Sequence, residues 1–288
     1  MTVLVLGATG RVGRLVAAAL ERAGARPRCF VRDAGRARAT LGAGVEIATG
    51  DLDDAASLDR ALAGIERVFL LNALGPELAR RDTAVIDAAK RAGTARIVKL
   101  SGSSWTLRPG AETASGAQHA RSERALATSG IAHTIVRPNA FMQGALGGVA
   151  AALAAGETGE TFALALGQAK VAYIDVRDIA DVAAHALLAD AAGNPVHEIT
   201  GPAAFGGAEL AAIAAGLTGR PIAYRPGDPE KVLAGLRAQG ASEFDLRHRA
   251  EMMALLAAGA AERVTDTVPR LLGRPARDVR GFLAEALA

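Results

Sequence analysis

The chain has 288 residues, of which half are hydrophobic and only 3% are aromatic, so it is long enough to bury a sizeable aliphatic core as one large domain or two closely integrated ones. Its 33 basic and 30 acidic residues leave a net charge of +3 with no polybasic run, which argues against a nucleic-acid binder. The single cysteine, Cys29, rules out an intramolecular disulfide and Cys-rich metal sites.

In the first half of the chain, short apolar strands alternate with amphipathic helices. Strands are predicted over residues 2–6, 28–31, 45–48, 67–71, 97–100 and 133–136, and helices between Gly7 and Gly24 and over residues 55–63, 77–92 and 117–129. Such alternation is typical of βαβ units, whose right-handed crossovers build a parallel sheet with helices on both faces. We therefore predict a Rossmann-like, doubly wound α/β fold.

Residues 138–156 are the longest uncharged stretch, and they do not predict a membrane span. Asn139, Gln143 and four glycines interrupt it, whereas a membrane helix is bulkier and more purely apolar. We interpret the stretch as a loop and a helix near a pocket. An apolar run follows Met1 directly, without the charged segment and cleavage site of a signal peptide, and we expect a cytoplasmic protein.

The second half of the chain is less regular. Strands are predicted over residues 171–174 and 196–199, and helices over residues 209–217, 229–238, 244–258 and 279–287. We expect a first domain over residues 1–140, to which strands near 171–175 and 196–200 return. Residues 141–170 and 201–288 are expected to form a smaller, mostly helical C-terminal lobe that binds the substrate.

A glycine-rich loop, Gly7-Ala8-Thr9-Gly10-Arg11-Val12-Gly13, lies between the first predicted strand and its helix. Gly7 permits a tight turn, Gly10 lets the backbone approach a pyrophosphate, and Gly13 lets the helix lie close to the strand. Free N–H groups and the positive end of the helix dipole attract phosphate. In this strand–loop–helix context the loop predicts a dinucleotide site; a purely structural glycine turn is the alternative.

The residue at the end of the second strand discriminates between NAD and NADP. A carboxylate there bonds the ribose 2′-hydroxyl of NAD, whereas an arginine binds the 2′-phosphate of NADP. Arg32 follows this strand, 19 residues after Gly13, and Arg11 inside the loop is expected to help clamp the phosphate. Asp33 is interpreted as a turn or cap residue. We predict that NADPH is favoured over NADH.

The spacing Gly-x-x-Gly-x-x-Gly resembles the extended and atypical short-chain dehydrogenases/reductases. Further segments are similar to the NmrA-like family, which has quinone oxidoreductase and azoreductase-like members. They are Gly-Asp-Leu-Asp at 50–53, Val-Phe-Leu-Leu at 68–71, Ile-Asp-Ala-Ala-Lys at 86–90, Ile-Val-Lys-Leu-Ser at 97–101, Val-Arg-Pro-Asn-Ala-Phe-Met at 136–142 and Ile-Asp-Val-Arg-Asp-Ile-Ala at 174–180. Together they cover most of residues 1–190.

This resemblance implies further cofactor contacts. Asp51 and Leu52 are expected to flank the adenine, with a helix cap as the alternative for Asp51, and Asn72 and Ala73 are expected to line the cofactor channel. The loop after the sixth strand is expected to lie against the nicotinamide and to help form the pocket. Its residues are Pro138, Asn139, Phe141 and Met142.

The fifth strand and the loop after it are expected to contribute to the substrate site. Ser101 lies where the superfamily often places a substrate-polarising serine, and Ser103 and Ser104 follow it, although serines also simply cap loops. Trp105, the only tryptophan, suits stacking on a planar substrate, and core packing explains it nearly as well. Lys99 lies within the strand pattern, which does not decide the face to which it points.

The usual catalytic acid of the superfamily is missing. Ordinary members use Tyr-x-x-x-Lys, but Tyr173 and Tyr224 both lie outside the helix after the fifth strand, and residues 101–130 contain no lysine. That helix offers His119 and Glu123, which are four residues apart and so share one face, in a pattern that recurs in NmrA-like proteins. The pair is interpreted either as a pocket histidine that orients substrate or relays a proton, or as a structural contact. No metal site is predicted.

These residues predict an NADPH-dependent oxidoreductase that transfers hydride to a small planar acceptor, such as a quinone, an azo compound, a conjugated carbonyl or an imine. Such acceptors need little acid catalysis, because a hydroquinone anion is a far weaker base than an alkoxide. The alternatives are a non-catalytic NADP(H)-binding redox sensor and a natural-product isomerase or dehydratase on the same scaffold. We expect a small-molecule substrate, no nucleic-acid or membrane partner, and a monomer or homodimer.

Overall fold

The computed structural model describes residues 1–42, 44–110, 112–157, 160–190 and 192–288. It divides into two compact units. Unit 1 comprises Met1–Gly102, Ser115–Arg137 and Ile179–His197, and unit 2 comprises Ser103–Ala114, Pro138–Asp178 and Glu198–Ala288. The chain passes between the units more often than the expected division at residue 140 with two returning strands implies, since residues 103–114 belong to unit 2 and residues 179–197 to unit 1. Unit 2 is also about as long as unit 1 and is not the smaller lobe that we expected.

A parallel sheet organises the strands of the fold. The strands of the described residues are β1 (Thr2–Val5), β2 (Arg26–Val31), β3 (Glu46–Thr49), β4 (Arg67–Leu70), β5 (Arg96–Leu100), β6 (Ala132–Pro138), β7 (Thr161–Leu164), β8 (Val196–Ile199) and β9 (Ala223–Pro226). Seven of them form one sheet in the order β3-β2-β1-β4-β5-β6-β8, and the pairs from β3 to β6 are parallel. This order confirms the Rossmann-like, doubly wound sheet, in which the strand order reverses between β1 and β4.

The helices cover the sheet of unit 1 and build much of unit 2. They are α1 (Gly13–Arg22), α2 (Ala34–Leu41), α3 (Ala55–Leu62), α4 (Leu78–Arg91), α5 (Ala114–Thr128), α6 (Met142–Ala145), α7 (Gly147–Ala154), α8 (Val176–Leu188), α9 (Gly207–Thr218), α10 (Pro229–Ala238), α11 (Glu243–Ala257), α12 (Thr267–Leu272) and α13 (Val279–Leu287). The helices predicted over residues 229–238 and 279–287 are confirmed to the residue. Within the described ranges, no helix is long and apolar enough to span a membrane.

The strand predicted over residues 171–174 is wrong. Val171 and Ile174 make only isolated bridges, to Phe205 and Phe141 respectively. The sequence of this segment resembles a strand because the segment is fully buried in the apolar core of unit 2. Burial alone produces a continuous hydrophobic run, whether or not the segment pairs with a strand. The strand at residues 196–199 is confirmed as β8.

Each unit has its own hydrophobic core. In unit 1 the residues under α3, α4 and α5 are nearly all aliphatic, and they include Leu58, Val68, Ile86 and Leu126. The core of unit 2 contains the aromatic side chains Trp105, Phe162, Tyr173 and Phe282 together with the aliphatic residues of α7, α9 and α13.

Candidate functional site

The loop between β1 and α1 has the geometry that a pyrophosphate requires. The Gly10 N–H donates to the Gly7 carbonyl oxygen at 2.9 Å, and Gly7 has a φ of +65°. A Cβ atom on Gly13 would lie 2.2 Å from that same oxygen, so no larger residue fits there. Val12, at the N-cap of α1, makes no side-chain capping bond, so its side chain does not compete for the amides at this helix end. The loop therefore fits an anionic group.

The loop residues divide into buried and exposed positions. Ala8 and Val12 are buried, and they anchor the loop on the core of unit 1. Thr9, Gly10 and Arg11 are exposed. The predicted contacts to a cofactor thus fall on the outer side of the turn, where backbone amides and the Arg11 guanidinium are accessible.

Two exposed arginines lie at the same edge of the sheet. Arg32 follows β2, which pairs with β1, and Arg11 lies in the loop after β1. Among the described residues neither side chain makes a hydrogen bond or an ion pair. Asp33 caps α2, since its carboxylate accepts from the Arg36 N–H at 3.0 Å, which is the cap role predicted for it. Both guanidinium groups are therefore available for an anion.

The segment after β3 is held by its own turn. The Asp51 carboxylate accepts from the Asp53 N–H at 2.9 Å, while Asp54 caps α3. Asp51 is therefore a turn residue and not the cap of α3. Leu52 packs against the core of unit 1, and the expected adenine contacts of both residues stay predictions.

A polar network with a fully buried ion pair at its centre lies beneath the ends of β4 and β5. Lys99 Nζ lies 2.5 Å from Asp82 Oδ2, and the side chains are 1% and 0% exposed. The Ser122 hydroxyl donates to the same oxygen, and Asn72 Nδ2 donates to Asp82 Oδ1 at 2.5 Å. We call Asn72, Asp82, Lys99 and Ser122 the Asp82 network. Lys99 therefore points toward α4 and α5, which the strand pattern did not decide.

Sequence reasoning missed Asp82 and Ser122. A lone carboxylate in an amphipathic helix is usually solvent-exposed, and α4 contains two, Asp82 and Asp87. The only signal was a lysine inside a buried strand, Lys99, because a buried ammonium group requires an acceptor. Ala73, predicted beside Asn72 in the cofactor channel, is exposed.

A second network lies next to the first, between Ser101, which follows β5, and Glu123 of α5. The Ser101 hydroxyl donates to Glu123 Oε1 at 2.5 Å, and Arg137 Nε donates to the same oxygen at 3.0 Å. Arg137 Nη2 also bonds the second carboxylate oxygen. A hydroxyl has one proton, so Ser101 presents only acceptor capacity to a ligand. This geometry does not support Ser101 as a donor that polarises a substrate.

His119 lies one turn before Glu123 on α5 and is half-buried. The predicted partner, Glu123, is 8% exposed and is engaged by Ser101 and Arg137. Arg137 was not identified from the sequence, although a charged residue inside the apolar run of β6 was a signal for it. The role of His119 stays a prediction.

In unit 2, the Asn139 side chain is committed to the protein itself. Trp105 Nε1 donates to Asn139 Oδ1 at 2.9 Å, and the Ala140 N–H donates to the same oxygen at 2.9 Å. Asn139 Nδ2 donates to the Ala261 carbonyl oxygen at 2.9 Å. Asn139 and Trp105 are both 7% exposed. These contacts favour the packing interpretation of Trp105 and leave Asn139 little capacity to contact substrate.

The remaining predicted pocket residues also serve the structure of unit 2. The Ser103 hydroxyl donates to the Pro138 carbonyl oxygen at 2.7 Å. Met142 is fully buried in the core of unit 2, and Phe141 bridges to Ile174. Substrate contacts for Ser103 and Met142, and nicotinamide contacts for Pro138 and Phe141, stay predictions.

Neither tyrosine is placed to act as the catalytic acid. Burial raises the pKa of Tyr173, which is 1% exposed, and its hydroxyl has no hydrogen-bond partner among the described residues. Burial also raises the pKa of Tyr224, whose hydroxyl lies within 2.9 Å of the Gly167 carbonyl oxygen. Both lie in unit 2, and α5 contains neither a tyrosine nor a lysine.

The sheet order and the glycine loop agree with a family match over most of the chain. The sequence model of the NmrA-like family matches residues 1–267. This chain belongs to the NmrA-like family. The match extends well beyond residue 190, where the quoted segments end, and it confirms the resemblance that those segments carried.

Relatives of this chain are similar over nearly its whole length. An NAD(P)H azoreductase of Xenophilus azovorans is 36% identical over 280 residues, which cover 97% of this chain and 96% of the relative. A (4-alkanoyl-5-oxo-2,5-dihydrofuran-3-yl)methyl phosphate reductase of Streptomyces griseus is 34% identical over 286 residues, with coverage of 98% and 97%. The crystal structure of an NADPH-dependent quinone oxidoreductase from Escherichia coli, complexed with NADPH, superposes with a TM-score of 0.85 at 26% identity and covers 100% of this chain and 98% of that one.

Proposed function

We propose that this NmrA-like protein is a reductase that uses NADPH in preference to NADH and transfers hydride to a small, planar, conjugated acceptor: a quinone, an azo compound, a conjugated carbonyl or an imine. The chain is an NAD(P)H-dependent oxidoreductase, like the relatives that match nearly its full length. The preference for NADPH and the acceptor class are the proposal.

The preference for NADPH rests on the two arginines at the edge of the sheet. Arg11 and Arg32 are exposed and have no carboxylate partner among the described residues. The planar, forked guanidinium group binds the oxygens of a 2′-phosphate with charge-assisted hydrogen bonds. When bound, NADPH supplies the hydride, while the loop from Gly7 to Gly13 holds the pyrophosphate.

The acceptor class rests on the lack of the usual catalytic acid. The helix α5 contains neither a tyrosine nor a lysine, and both tyrosines of the chain lie in unit 2. A simple ketone requires a proton as the hydride arrives, because its alkoxide is strongly basic. A quinone gives a much weaker base that water protonates, and an iminium ion requires no proton. The chain's residues then need only bind and orient the acceptor.

The test is a turnover assay that follows the absorbance of the reduced nicotinamide. We expect NADPH oxidation with quinones or azo dyes and none with aliphatic ketones of similar size. Turnover of the aliphatic ketones would show an acid that we have not identified. Tight NADPH binding without turnover of any acceptor would instead favour the redox-sensor alternative.

His119 is proposed to orient the acceptor from α5. The variant His119→Ala is expected to raise KM for the acceptor with little change in the dissociation constant of NADPH. The variant His119→Gln retains a hydrogen-bonding group and serves as the control. Unchanged KM in His119→Ala would return His119 to a structural role.

A further inference from the structure

The amide of Asn72 has only one orientation that its contacts allow. Asn72 Nδ2 lies 2.5 Å from Asp82 Oδ1. A carboxylate oxygen only accepts hydrogen bonds, so the amide must turn its NH₂ group toward Asp82. The side-chain oxygen of Asn72 then points away from Asp82. It can accept a hydrogen bond from a ligand that lies beyond the end of β4.

The rest of the Asp82 network fixes the carboxylate itself. Lys99 Nζ and the Ser122 hydroxyl both donate to Asp82 Oδ2, which leaves Oδ1 to Asn72. The four residues come from the loop after β4 and from α4, β5 and α5, and Asp82, Lys99 and Ser122 are all buried. Water therefore does not compete for these bonds, and Asn72, which is half-buried, is the member of the network that reaches the surface.

Asn72 lies next to the phosphate loop, on the side away from Arg32. A Cβ atom on Gly7 would lie 3.0 Å from the carbonyl oxygen of Leu71, so the segment after β4 touches the start of the loop. In the sheet, β2 and β4 flank β1 on opposite sides. A dinucleotide whose 2′-phosphate meets Arg32 after β2, and whose pyrophosphate meets the loop after β1, extends its second nucleoside toward β4.

We propose that the buried ion pair of Asp82 and Lys99, with Ser122, is a positioning device that makes Asn72 a specific acceptor for a hydrogen-bond donor on the nicotinamide nucleoside. That donor is a ribose hydroxyl or the carboxamide N–H. The inference rests on the proposed function, because it requires the coenzyme to lie in the loop. Asn72 touches the coenzyme, and the other three residues act through Asn72.

The proposal predicts an unusual effect of removing one charge. In the variant Asp82→Asn, Lys99 still has only donors, so the new amide must turn its oxygen to Lys99 and its NH₂ group to Asn72. The Asn72 amide must then turn over, so that its NH₂ group faces the hydrogen-bond donor of the coenzyme. Two donors form no hydrogen bond with each other. In the double variant Asp82→Asn/Lys99→Met this constraint is gone, and the amide at position 82 is free to accept from Asn72 again.

The experiment measures the dissociation constants of NADPH and of adenosine 2′,5′-bisphosphate by calorimetry. The bisphosphate carries the adenosine half only. We expect Asp82→Asn to weaken NADPH about tenfold or more, to leave the bisphosphate within about twofold of the parent, and to regain most NADPH affinity when Lys99→Met is added. The control is Arg67→Met, which removes the ion pair with Asp190 at the other end of β4 and is expected to change neither constant.

A folded Asp82→Asn variant that binds NADPH as tightly as the parent would overturn the inference. An equal loss of affinity for NADPH and for the bisphosphate would also overturn it, because it would indicate general damage to the site. If Asp82→Asn does not fold, Asn72→Ala answers the question: it should weaken NADPH about tenfold and spare the bisphosphate, and unchanged NADPH binding would refute the role of Asn72. A parent protein that binds neither ligand would contradict the proposed cofactor itself, and the inference would be rejected with it.

Discussion

At the scale of single residues, the cofactor loop depends on the absence of one side chain. Gly13 starts α1 directly beneath Gly7, and the space between them does not hold a Cβ atom. Leu71, directly after β4, crowds Gly7 from the other side. The loop is therefore built by close approach of the backbone of Gly7 to that of Gly13.

We expect Gly13→Ala to weaken NADPH binding by about tenfold to a hundredfold, because the added Cβ atom, 2.2 Å from the Gly7 carbonyl oxygen, must push the loop away from α1. Calorimetry measures the affinity, and thermal unfolding without ligand measures the cost to the fold. The control is Gly216→Ala in α9, where a Cβ atom meets nothing within 4 Å. Unaltered NADPH affinity in Gly13→Ala would contradict the phosphate role of the loop.

The choice between NADPH and NADH also belongs to single residues. We expect Arg32→Glu to weaken NADPH by about tenfold to a hundredfold, since it replaces a charge-assisted bond with repulsion, and to affect NADH much less. The matched control is Arg26→Glu, the same charge change at the exposed first residue of β2. Comparing the dissociation constants of the two coenzymes tests this, and equal losses for both would refute Arg32 as the 2′-phosphate ligand.

At the scale of elements, the sequence pattern predicts β1 to β6 and most of the helices, because buried parallel strands are short apolar runs and the helices between them are amphipathic. The pattern failed at residues 171–174, where the full burial of Val171 and Ile174 produced a strand-like run in a segment that makes only isolated bridges. It also missed α8, whose start is organised by a carboxylate and not by a glycine or proline signal.

That carboxylate, Asp175, is the anchor of α8. It accepts from the Arg177 N–H at 2.8 Å and from the Arg177 guanidinium, and Arg177 also pairs with Glu285 of α13. Burial by itself would raise the pKa of Asp175, but the hydrogen bonds from Arg177 outweigh it and hold the pKa below its usual range. The ionised carboxylate is therefore favoured by folding.

Because the folded-state pKa of Asp175 is lowered, its contribution to stability is present above the unfolded pKa, about 3.9, and is lost as the pH falls through the folded value. We expect Asp175→Asn to lower the free energy of unfolding by about 1–3 kcal/mol at pH 7, with a smaller difference from the parent at pH 3. Urea unfolding at both pH values measures this, with the exposed Asp266→Asn as control. An equal difference at both pH values would contradict the ionic role.

At the scale of the whole molecule, the polar networks described above divide between the two units. The Asp82 network and the cluster of Ser101, Glu123 and Arg137 lie in unit 1, whereas the contacts of Trp105 with Asn139 lie in unit 2. In both networks of unit 1, residues at or just after the ends of β4, β5 and β6 meet residues of α4 and α5, near the carboxyl edge of the sheet where the cofactor loop also lies.

The one thiol reports on the integrity of unit 1. Cys29 in β2 is fully buried, and burial, with Glu21 and Glu46 adding to it, raises its pKa to about 12. Because the thiolate is the reactive form, we expect no reaction with a thiol reagent in native buffer and complete reaction in urea. The variant Val232→Cys, at an exposed position of α10, supplies an accessible thiol as control. Rapid labelling of the native parent would show that unit 1 opens readily.

The sequence alone determined the glycine loop, the arginine after β2 and the alternation of strands and helices, since these depend on neighbours along the chain: a turn that only glycine permits, and apolar residues at the period of a strand or a helix. Only the tertiary structure decided that Lys99, Ser122 and Asn72 converge on Asp82, and that the Ser101 hydroxyl donates its hydrogen bond to Glu123. Such groups are far apart in sequence. Their meeting depends on strand register, on the face to which each side chain points, and on how the helices pack over the sheet.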